Sequence, residues 1–388
     1  MRRGFRYLVL GLGGIGSAAV YWLARQAGED VLGLEQFRLG HVRGGSQDHS
    51  RIIRLSYHNP AYVALAKRAY DAWAEVESEA GEQLVIKTGG LDLSPEGACI
   101  PLADYTGSLS AENVPYQLLD AEEIMYRWPQ WHLPEDVQGL FQAESGLVAA
   151  ARSNAAHQRL AREYGATLRD NAAVSAVYPS GNEITVVAGG ETYTCEKLVI
   201  AAGAWTNHLL AHFDYHLNLT VTKEQVTYYA APNPVEFAPE RFPIWIWLDE
   251  PCYYGFPTFG EAGPKIAQDV GGQETTAEER DFEVDEAAFG RTDAFLRRHL
   301  PSAYGSVIYT KTCLYTMPPD RDFVLATLPE HPNVSIAVGA AHAFKFASLL
   351  GKVLSELANT GASSYDISPF RFDRPVLFEE RPERVFII

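Results

Sequence analysis

Hydrophobic positions at the start of the chain follow a strand pattern, then a helical pattern, then a strand pattern again. Residues 7–10 form a short apolar run, residues 14–26 repeat apolar side chains with helical periodicity, and residues 31–34 form a second apolar run. Glycines separate the first run from the helix. The pattern predicts a β-α-β unit at the beginning of the fold.

Helical periodicity returns several times along the chain, between regions with a strand pattern. Amphipathic helices are predicted at about residues 61–79, 153–166, 285–299 and 342–358. Strands are predicted within residues 182–205, 217–270 and 306–339, the second of these being rich in β-branched and aromatic residues. From about residue 82, short segments punctuated by Pro and Gly predict an inserted β-rich region.

The return of strand–helix segments after the β-rich region predicts two interleaved domains instead of two consecutive ones. The predicted fold class is α/β, with a Rossmann-like dinucleotide-binding domain joined to a second domain built on an antiparallel sheet. We assign residues 1–80, 145–215 and 310–388 to the first domain, and residues 81–144 and 216–309 to the second.

Composition limits the classes of function. The 388 residues are 47% hydrophobic and carry a formal net charge of −17, which disfavours non-specific binding to nucleic acid or to anionic membranes. No apolar run reaches the roughly 18 residues that span a bilayer. The four cysteines form no CxxC pair and no zinc pattern with histidines, which fits a reducing cytoplasm. We expect a cytoplasmic protein without nucleic-acid, membrane or metal partners.

The turn after the first predicted strand carries the motif Gly-x-Gly-x-x-Gly. Gly11 permits the tight turn, Gly13 lets a pyrophosphate approach the backbone, and Gly16 lets the helix pack closely on the strand. Gly14 and Ile15 begin the helix, whose N-terminus offers partial positive charge to phosphates. We predict that this turn binds a dinucleotide.

An acidic residue ends the second predicted strand. Glu35 lies 19 residues after Gly16, where a carboxylate accepts hydrogen bonds from ribose hydroxyls. A carboxylate at this position disfavours the 2′-phosphate of NADP, so NAD and FAD remain. In NAD dehydrogenases further parallel strand–helix units usually follow, whereas here a Gly-containing loop, a long helix and a β-rich region follow.

Motifs farther along the chain distinguish these two cofactors. In collinear order they are GLGGIGSAAVYWLA, SQDHSRIIRLSY, GLVAAARSNAAH, KLVIAAGAWTNHLL, YYGFPTFG, TCLYTMPPDRDFVL and HAFKFASLLGKVLSELA. With these motifs spread over nearly its whole length, the chain resembles the monomeric sarcosine oxidase and N-methyltryptophan oxidase family, whose members are amine-oxidising flavoproteins. The resemblance implies a two-domain flavoprotein with FAD as its cofactor.

The resemblance also implies where FAD is held. Cys313 matches the family cysteine that carries the flavin 8α-methyl through a thioether, a bond that a thiolate nucleophile can form. A buried structural cysteine is the alternative interpretation. Ser50 is expected to donate to the pyrophosphate, and the start of the last helix, near His342, to direct its dipole at the flavin pyrimidine. Further FAD contacts are implied for Arg51, Val174, Gly203, Trp205, Phe344 and Lys345.

Two cations are implied to act in catalysis. Lys265 matches the family lysine that promotes O2 reduction, where a fixed cation stabilises the superoxide that forms first. Arg51 is expected close to the flavin ring. A lone lysine is more often a solvated surface residue, but Lys265 lies within a mostly apolar strand pattern.

Four residues are implied to bind substrate. Arg54 and Lys345 match the family pair that binds the substrate carboxylate, the guanidinium by a fork and the ammonium as a point charge. Tyr254 and Tyr315 match aromatic walls of the substrate cavity. The alternatives are an arginine bonded to loop carbonyls or to acids, and ordinary core aromatics.

The chain departs from the sarcosine-oxidising members of the family at cavity positions. Gln47 and Asp269 stand where those members have His, and Ala341-His342-Ala343 replaces their Gly-His-Gly. The flavin chemistry is therefore better supported than sarcosine as the substrate. We hypothesise that Asp269 contacts a cationic or polar part of a different substrate, such as a second amine.

The predicted activity is FAD-dependent oxidation of a secondary amine, an N-methyl or cyclic amino acid, by a monomeric enzyme. The neutral amine loses hydride to the flavin, the imine hydrolyses, and O2 is reduced to hydrogen peroxide. A deglycating (fructosyl amino acid) oxidase or a pipecolate-type oxidase is the alternative within flavoenzymes. Outside that class, the alternatives are an NAD-dependent dehydrogenase and a flavin-binding protein without turnover.

Overall fold

The computed structural model describes residues 3–385, which form eight α-helices and twenty β-strands. The helices are α1 (Gly14–Ala27), α2 (Pro60–Ala80), α3 (Leu102–Ala111), α4 (Ala121–Arg127), α5 (Ala150–Glu163), α6 (Thr206–Leu210), α7 (Glu286–His299) and α8 (Ala347–Thr360). The first ten strands are β1 (Gly4–Leu10), β2 (Val31–Leu34), β3 (Ser50–Ile53), β4 (Val85–Lys87), β5 (Gly90–Ser94), β6 (Gln117–Asp120), β7 (Gln138–Gln142), β8 (Gly146–Ala149), β9 (Thr167–Arg169) and β10 (Val174–Ser180). The others are β11 (Glu183–Ala188), β12 (Glu191–Ile200), β13 (Thr220–Ala230), β14 (Ile244–Trp247), β15 (Cys252–Phe256), β16 (Lys265–Asp269), β17 (Gln273–Glu274), β18 (Ser306–Met317), β19 (Val324–Leu328) and β20 (His331–Val338).

An eight-stranded sheet carries the predicted β-α-β unit. The strand order is β10-β11-β12-β1-β2-β9. In addition, β20 pairs with β12, and β19 pairs with β20. The central strands β12, β1 and β2 are parallel, and all four residues of β2 are buried, as expected for strands covered on both faces. Helix α1 is buried without interruption from Gly16 to Ala24 because it lies between this sheet, α5 and α8.

A nine-stranded, mainly antiparallel sheet forms the second layer of the structure. Its order is β17-β13-β16-β15-β14-β5-β7-β6, with β18 on the other side of β13. The region after residue 82 supplies β5 to β7 to this sheet, but it also forms α3 and α4, which the sequence pattern did not predict. Residues 306–317 form one long strand that pairs with β13, so the predicted domain boundary at residue 310 falls inside a strand.

A small three-stranded sheet, β3-β8-β4, lies directly after the loop that follows β2 and Glu35. It presents Arg51 on β3 and Arg54 immediately beyond that strand. The long helix α2 begins after this segment, with Asn59 as its N-cap, Pro60 in its first turn and Gly81 in the left-handed conformation at its end. Local capping chemistry therefore explains why the predicted bounds of this helix were nearly correct.

The last helix differs from its prediction. Residues 343–346 form a 3-10 turn, and α8 begins only at Ala347, later than the predicted start at residue 342. The expected dipole at His342 therefore comes from a short turn instead of the first turn of the long helix. No helix of the described residues is both long and apolar enough to cross a membrane.

Candidate functional site

A cavity of about 630 Å³ extends from the glycine turn after β1 to the middle of β18. Gly11 and Glu35 line one end, and Arg51 and Cys313 line the other. The walls come from the ends of the parallel strands, from the loop at residues 35–49 and from the antiparallel sheet. Ligands of parallel α/β sheets bind at this end of the strands.

The glycine turn has the geometry that its motif predicts. Gly11 adopts a φ of 88°, and a Cβ atom on Gly16 would lie 1.8 Å from the carbonyl oxygen of Gly11. By contrast, a Cβ atom on Gly13 would meet only the side chain of Ser46, whose hydroxyl oxygen would lie 3.0 Å away. Gly11 and Gly16 are thus required by the backbone itself, whereas at Gly13 the obstacle is a side chain that can move, and the missing Cβ lets a pyrophosphate approach the backbone.

Glu35 is fixed by its own loop. Its carboxylate accepts hydrogen bonds from the backbone N–H of Leu12 at 2.8 Å and of Phe37 at 3.1 Å, and it lies 3.3 Å from Nε2 of His41. Burial alone would raise the pKa of Glu35, but these hydrogen bonds outweigh burial and hold the pKa below its ordinary value. The carboxylate is therefore ionised and faces the cavity, with acceptor capacity left for ribose hydroxyls.

The other residues predicted at the nucleotide end are brought together as expected. Gly14, Ile15, Val174, Gly203 and Trp205 all line the cavity near Glu35. Gly203 adopts a φ of 53° at the turn after β12. These residues come from three separate parts of the chain, and the first sheet places them at one edge.

Ser50 lies elsewhere than predicted, and a different serine lies at the glycine turn. Ser50 is buried and is not among the residues that line the cavity. Ser46 lines the cavity, and its hydroxyl accepts a hydrogen bond of 2.9 Å from the backbone N–H of Gly14. Sequence reasoning missed Ser46 because it is in the same Ser- and Gly-containing loop as Ser50.

The far end of the cavity combines a cation, a thiol and aromatic rings. Arg51 donates to the carbonyl oxygens of Ser50 and Gly45 at 2.9 and 2.8 Å, and its guanidinium lies 5.8 Å from the centre of the Phe344 ring. Burial raises the pKa of the Cys313 thiol to about 11, although the Arg51 guanidinium opposes this shift. All four cysteines of the chain have free thiols.

Tyr254 and Tyr315 line this end as well, with their hydroxyl oxygens 3.4 Å apart. Burial raises the pKa of Tyr315 well above its ordinary value, and both Tyr254 and Asp269 add to the shift. The two tyrosines therefore stay neutral and form a wall that is apolar on its faces and polar at its edge.

Lys265 is buried behind the cavity wall, next to an acid that the sequence did not single out. Its ammonium donates to Asp48 Oδ2 at 2.9 Å and to the Ser50 carbonyl oxygen at 2.8 Å. Asp48 also accepts from the hydroxyl of Tyr228. A lysine in this environment is not a solvated surface residue, which removes the alternative interpretation of Lys265.

The predicted carboxylate clamp forms a second cluster that does not line the same cavity. Arg54 is buried and pairs with Asp92 at 3.1 Å, and its guanidinium lies 4.7 Å from the centre of the Tyr57 ring. The ammonium of Lys345 donates to the carbonyl oxygen of His342 at 3.2 Å and lies 5.6 Å from the same tyrosine ring. Burial and the Arg54 charge lower the pKa of Lys345 well below its ordinary value.

Asp269 already has a partner in the structure. Its Oδ2 atom lies 3.1 Å from the guanidinium of Arg321, which is 1% exposed. The sequence hypothesis for Asp269 did not include this ion pair. Nε2 of His342 donates to the Arg321 carbonyl oxygen at 3.0 Å, and burial lowers the pKa of His342 well below its ordinary value. The clamp is thus one cluster of cations and carboxylates, and its carboxylates Asp92 and Asp269 lie on two strands of the nine-stranded sheet, β5 and β16.

The geometry fits FAD. The glycine turn could hold a pyrophosphate and Glu35 could accept from ribose, and the elongated cavity continues to a thiol at the position where the family resemblance implies one. Within residues 3–385 no cluster of three or more His, Cys, Asp or Glu side chains is arranged to hold a metal ion.

Comparisons with known proteins agree with this geometry. Residues 6–357 match the family described as FAD dependent oxidoreductase (DAO). Monomeric sarcosine oxidase from Bacillus sp. (strain B-0618) is 32% identical over 380 residues, 97% of this chain and 97% of that protein. N-methyl-L-tryptophan oxidase from Salmonella heidelberg (strain SL476) is 31% identical over 373 residues, 95% of this chain and 98% of that protein. The structure of NikD, "an unusual amino acid oxidase", superposes with a TM-score of 0.84 at 25% identity, covering 95% of this chain and 97% of that one.

Proposed function

The chain belongs to the FAD dependent oxidoreductase family, and from this we propose that it oxidises the secondary amine of N-alkyl or cyclic amino acids. Family membership decides between the two cofactors that the sequence motif left open, in favour of FAD. The observation that carries the amine proposal is the buried cation cluster next to the flavin end of the cavity, since a carboxylate clamp there suits an amino acid.

The chemistry that bound FAD would supply is acceptance of a hydride from the carbon beside the substrate nitrogen and transfer of the electrons to O2, which would give hydrogen peroxide. The chain's own residues hold the cofactor at both ends. Gly13, Gly14 and Ser46 lie where the pyrophosphate binds, and Glu35 accepts from ribose. Arg51, held by two backbone carbonyls, places a positive charge at the flavin end.

We also propose that Cys313 attaches the flavin through a thioether. Cys313 lines the cavity at the end opposite the glycine turn, and although burial raises the pKa of its thiol to about 11, the nearby Arg51 guanidinium opposes that shift. Forming the C–S bond removes the thiol proton and one proton of the 8α-methyl and leaves two electrons, which O2 accepts as it does after turnover.

The charge balance of the clamp supports a substrate with one carboxylate. Arg54 is paired with Asp92, and Arg321 is paired with Asp269. Lys345 forms no ion pair within the described part of the chain. Its ammonium is therefore the cation that a substrate carboxylate neutralises, and a bound carboxylate would oppose the lowering of the Lys345 pKa that burial causes.

Asp269 favours a substrate other than sarcosine. Its Oδ2 atom lies 3.1 Å from the Arg321 guanidinium. We propose that Oδ1 accepts from a polar or cationic group of the substrate, a group that sarcosine lacks. The chain acts as a monomer in the cytoplasm in this proposal.

The test is the visible spectrum of the purified protein, followed by anaerobic addition of a panel of amines. The panel contains sarcosine, N-methyl amino acids, cyclic amino acids such as pipecolate, and fructosyl amino acids. We expect a yellow protein that one class of secondary amine bleaches, with peroxide formed when air is admitted and with activity that rises at alkaline pH as the amine loses its proton. A yellow protein that no amine bleaches would contradict the proposal, and so would activity that is flat from acid to alkaline pH.

A further inference from the structure

We propose that Asp48 is a positioning residue for Lys265, and that it holds the lysine ammonium charged and fixed so that electrons pass rapidly to O2. This inference rests on the role proposed for Lys265 in the reaction with O2. It assigns to Asp48 a part in the oxidative half of the reaction, in which the reduced cofactor is reoxidised, and none in amine binding.

The geometry of the lysine is the first support. The ammonium of Lys265 lies 2.9 Å from Asp48 Oδ2 and 2.8 Å from the Ser50 carbonyl oxygen, and the two paired side chains are 2% and 4% exposed. An ammonium has three donors, so these acceptors fix its direction and leave one donor for a bound group. The ring of Phe256, with its centre 4.0 Å from Nζ, closes another side.

The environment of the acid is the second support. Both carboxylate oxygens of Asp48 accept from the hydroxyl of Tyr228, at 2.9 and 3.0 Å, and the Arg51 guanidinium lies 3.8 Å away. Asp48 also has a φ of 85°, a conformation that is unfavourable for a residue other than glycine. Backbone strain of this kind persists where side-chain contacts over-determine the position, and it concentrates at functional sites.

The charges around Lys265 explain what the pairing does. Burial lowers the pKa of Lys265, the Asp48 carboxylate opposes that shift, and the Arg51 guanidinium adds to it, so that the pKa is about 8. Cys313 on β18 is the other titratable group that affects Lys265, and its own raised pKa keeps its thiol neutral at pH 7. Without Asp48, burial and Arg51 remain and Lys265 loses its proton near neutral pH.

The charged state matters because the first electron transferred to O2 creates a negative charge. A preorganised cation stabilises that charge without reorganisation, and removing one such group from an active site typically costs about 10²- to 10³-fold in rate. A carboxylate that was only structural would change the melting temperature and would leave the pH dependence of this step unaltered.

The experiment compares the wild-type holoenzyme with Asp48→Asn, which keeps the shape and removes the charge. The enzyme is reduced anaerobically with an amine that it oxidises and is then mixed with O2 in a stopped-flow instrument at pH 5.5 to 9.5. The dissociation constant of sulfite, an anion that binds at the reacting face of flavins, is measured over the same range as a readout other than activity. Asp320→Asn is the matched control, since it removes the acid of a different pair, 2.8 Å from Arg374.

We expect wild-type reoxidation and sulfite affinity to fall through a midpoint near pH 8, since that is the pKa of Lys265. In Asp48→Asn the midpoint falls by about one to three pH units, so that reoxidation at pH 7.5 slows by about threefold for a shift of one unit and by more than about 100-fold for a shift of three, and it recovers at acid pH. Asp320→Asn keeps the wild-type midpoint, and Asp48→Glu restores it. An Asp48→Asn enzyme with the wild-type midpoint would overturn the inference.

Lys265→Met separates this inference from the function on which it rests. If Lys265→Met reoxidises at the wild-type rate, the role proposed for Lys265 is wrong. If Lys265→Met is slow at every pH and Asp48→Asn matches the wild type, only the role of Asp48 is wrong. Should Asp48→Asn not fold, the wild-type profile remains a test, and a midpoint below pH 7 or the lack of one between pH 7 and 9.5 would refute the pairing.

Discussion

A Cβ atom on Gly16 would lie 1.8 Å from the carbonyl oxygen of Gly11. No side chain fits in that space, because the obstacle is backbone and cannot move without opening the turn between β1 and α1. The turn is therefore closed by direct contact of the first and third glycines of the motif.

This contact predicts different outcomes for two glycine substitutions. Gly16→Ala is expected to prevent accumulation of folded, yellow protein, because strand and helix must separate. The methyl group of Gly13→Ala meets only the Ser46 side chain, at 3.0 Å from its hydroxyl oxygen, so we expect the protein to fold but to bind FAD weakly. Circular dichroism and the ratio of flavin to protein absorbance measure the two effects. Equal behaviour of the two variants would contradict the distinction.

Cys313→Ser tests the covalent attachment. In the wild type we expect yellow colour to remain in the acid-precipitated pellet, and in Cys313→Ser we expect it in the supernatant. Cys195→Ser is the control, since that thiol is buried in the first sheet away from the cavity. Colour in the wild-type supernatant would refute the thioether without refuting FAD.

Lys345→Met is expected to weaken amino acid binding. A hydrogen bond to a charged group contributes about 1.5–3 kcal/mol, so KM rises about 10- to 150-fold while kcat changes little. An uncharged amide of the same substrate should not distinguish the variant from the wild type. Lys352→Met is the control on the helix that follows, α8, where the Lys352 ammonium pairs with Glu75 at 2.7 Å. A KM rise that is equal for acid and amide would show that Lys345 does not bind the carboxylate.

Asp269→Asn is expected to change which amines are oxidised. It keeps the side-chain volume but removes the negative charge facing Arg321, so substrates with a polar or cationic group lose kcat/KM relative to sarcosine. The comparison uses the amine panel under anaerobic bleaching. Asp293→Asn, which removes one acid of a surface pair with Arg297, serves as the control. An unchanged ranking of amines would contradict the role of Asp269.

Glu35 makes the stability of the protein depend on pH. The pKa of Glu35 in the folded protein lies below its ordinary value of 4.5, so the carboxylate stabilises the fold above that value, and this contribution is lost as pH falls through the folded pKa. Glu35→Gln should therefore cost about 1–2 kcal/mol in free energy of unfolding at pH 7 and progressively less below pH 4.5. Urea unfolding of both proteins at each pH measures the difference, and a constant difference from pH 7 to 3 would contradict it.

The local parts of the fold followed from the sequence. The β-α-β unit, its glycine turn and Glu35 depend on periodicity and on turn geometry within some 30 residues of each other. Likewise, Asn59, Pro60 and Gly81 mark the ends of α2 by capping chemistry that acts within one turn. The identity of the cofactor followed from motifs whose order along the chain needed no tertiary information.

The tertiary structure alone decided how the charged side chains pair. Asp48 meets Lys265, Asp92 meets Arg54, and Asp269 meets Arg321, in each case across two separate elements of the chain. Such pairs depend on how the sheets and loops are placed against one another, which no local period encodes. From the sequence alone, each of these side chains could have been a solvated surface charge. They must pair because they are buried together in a region of low dielectric constant, where an unpaired charge is costly. The sequence thus determined that this chain builds a FAD site, and the packing of its sheets determined which cations are free to act there.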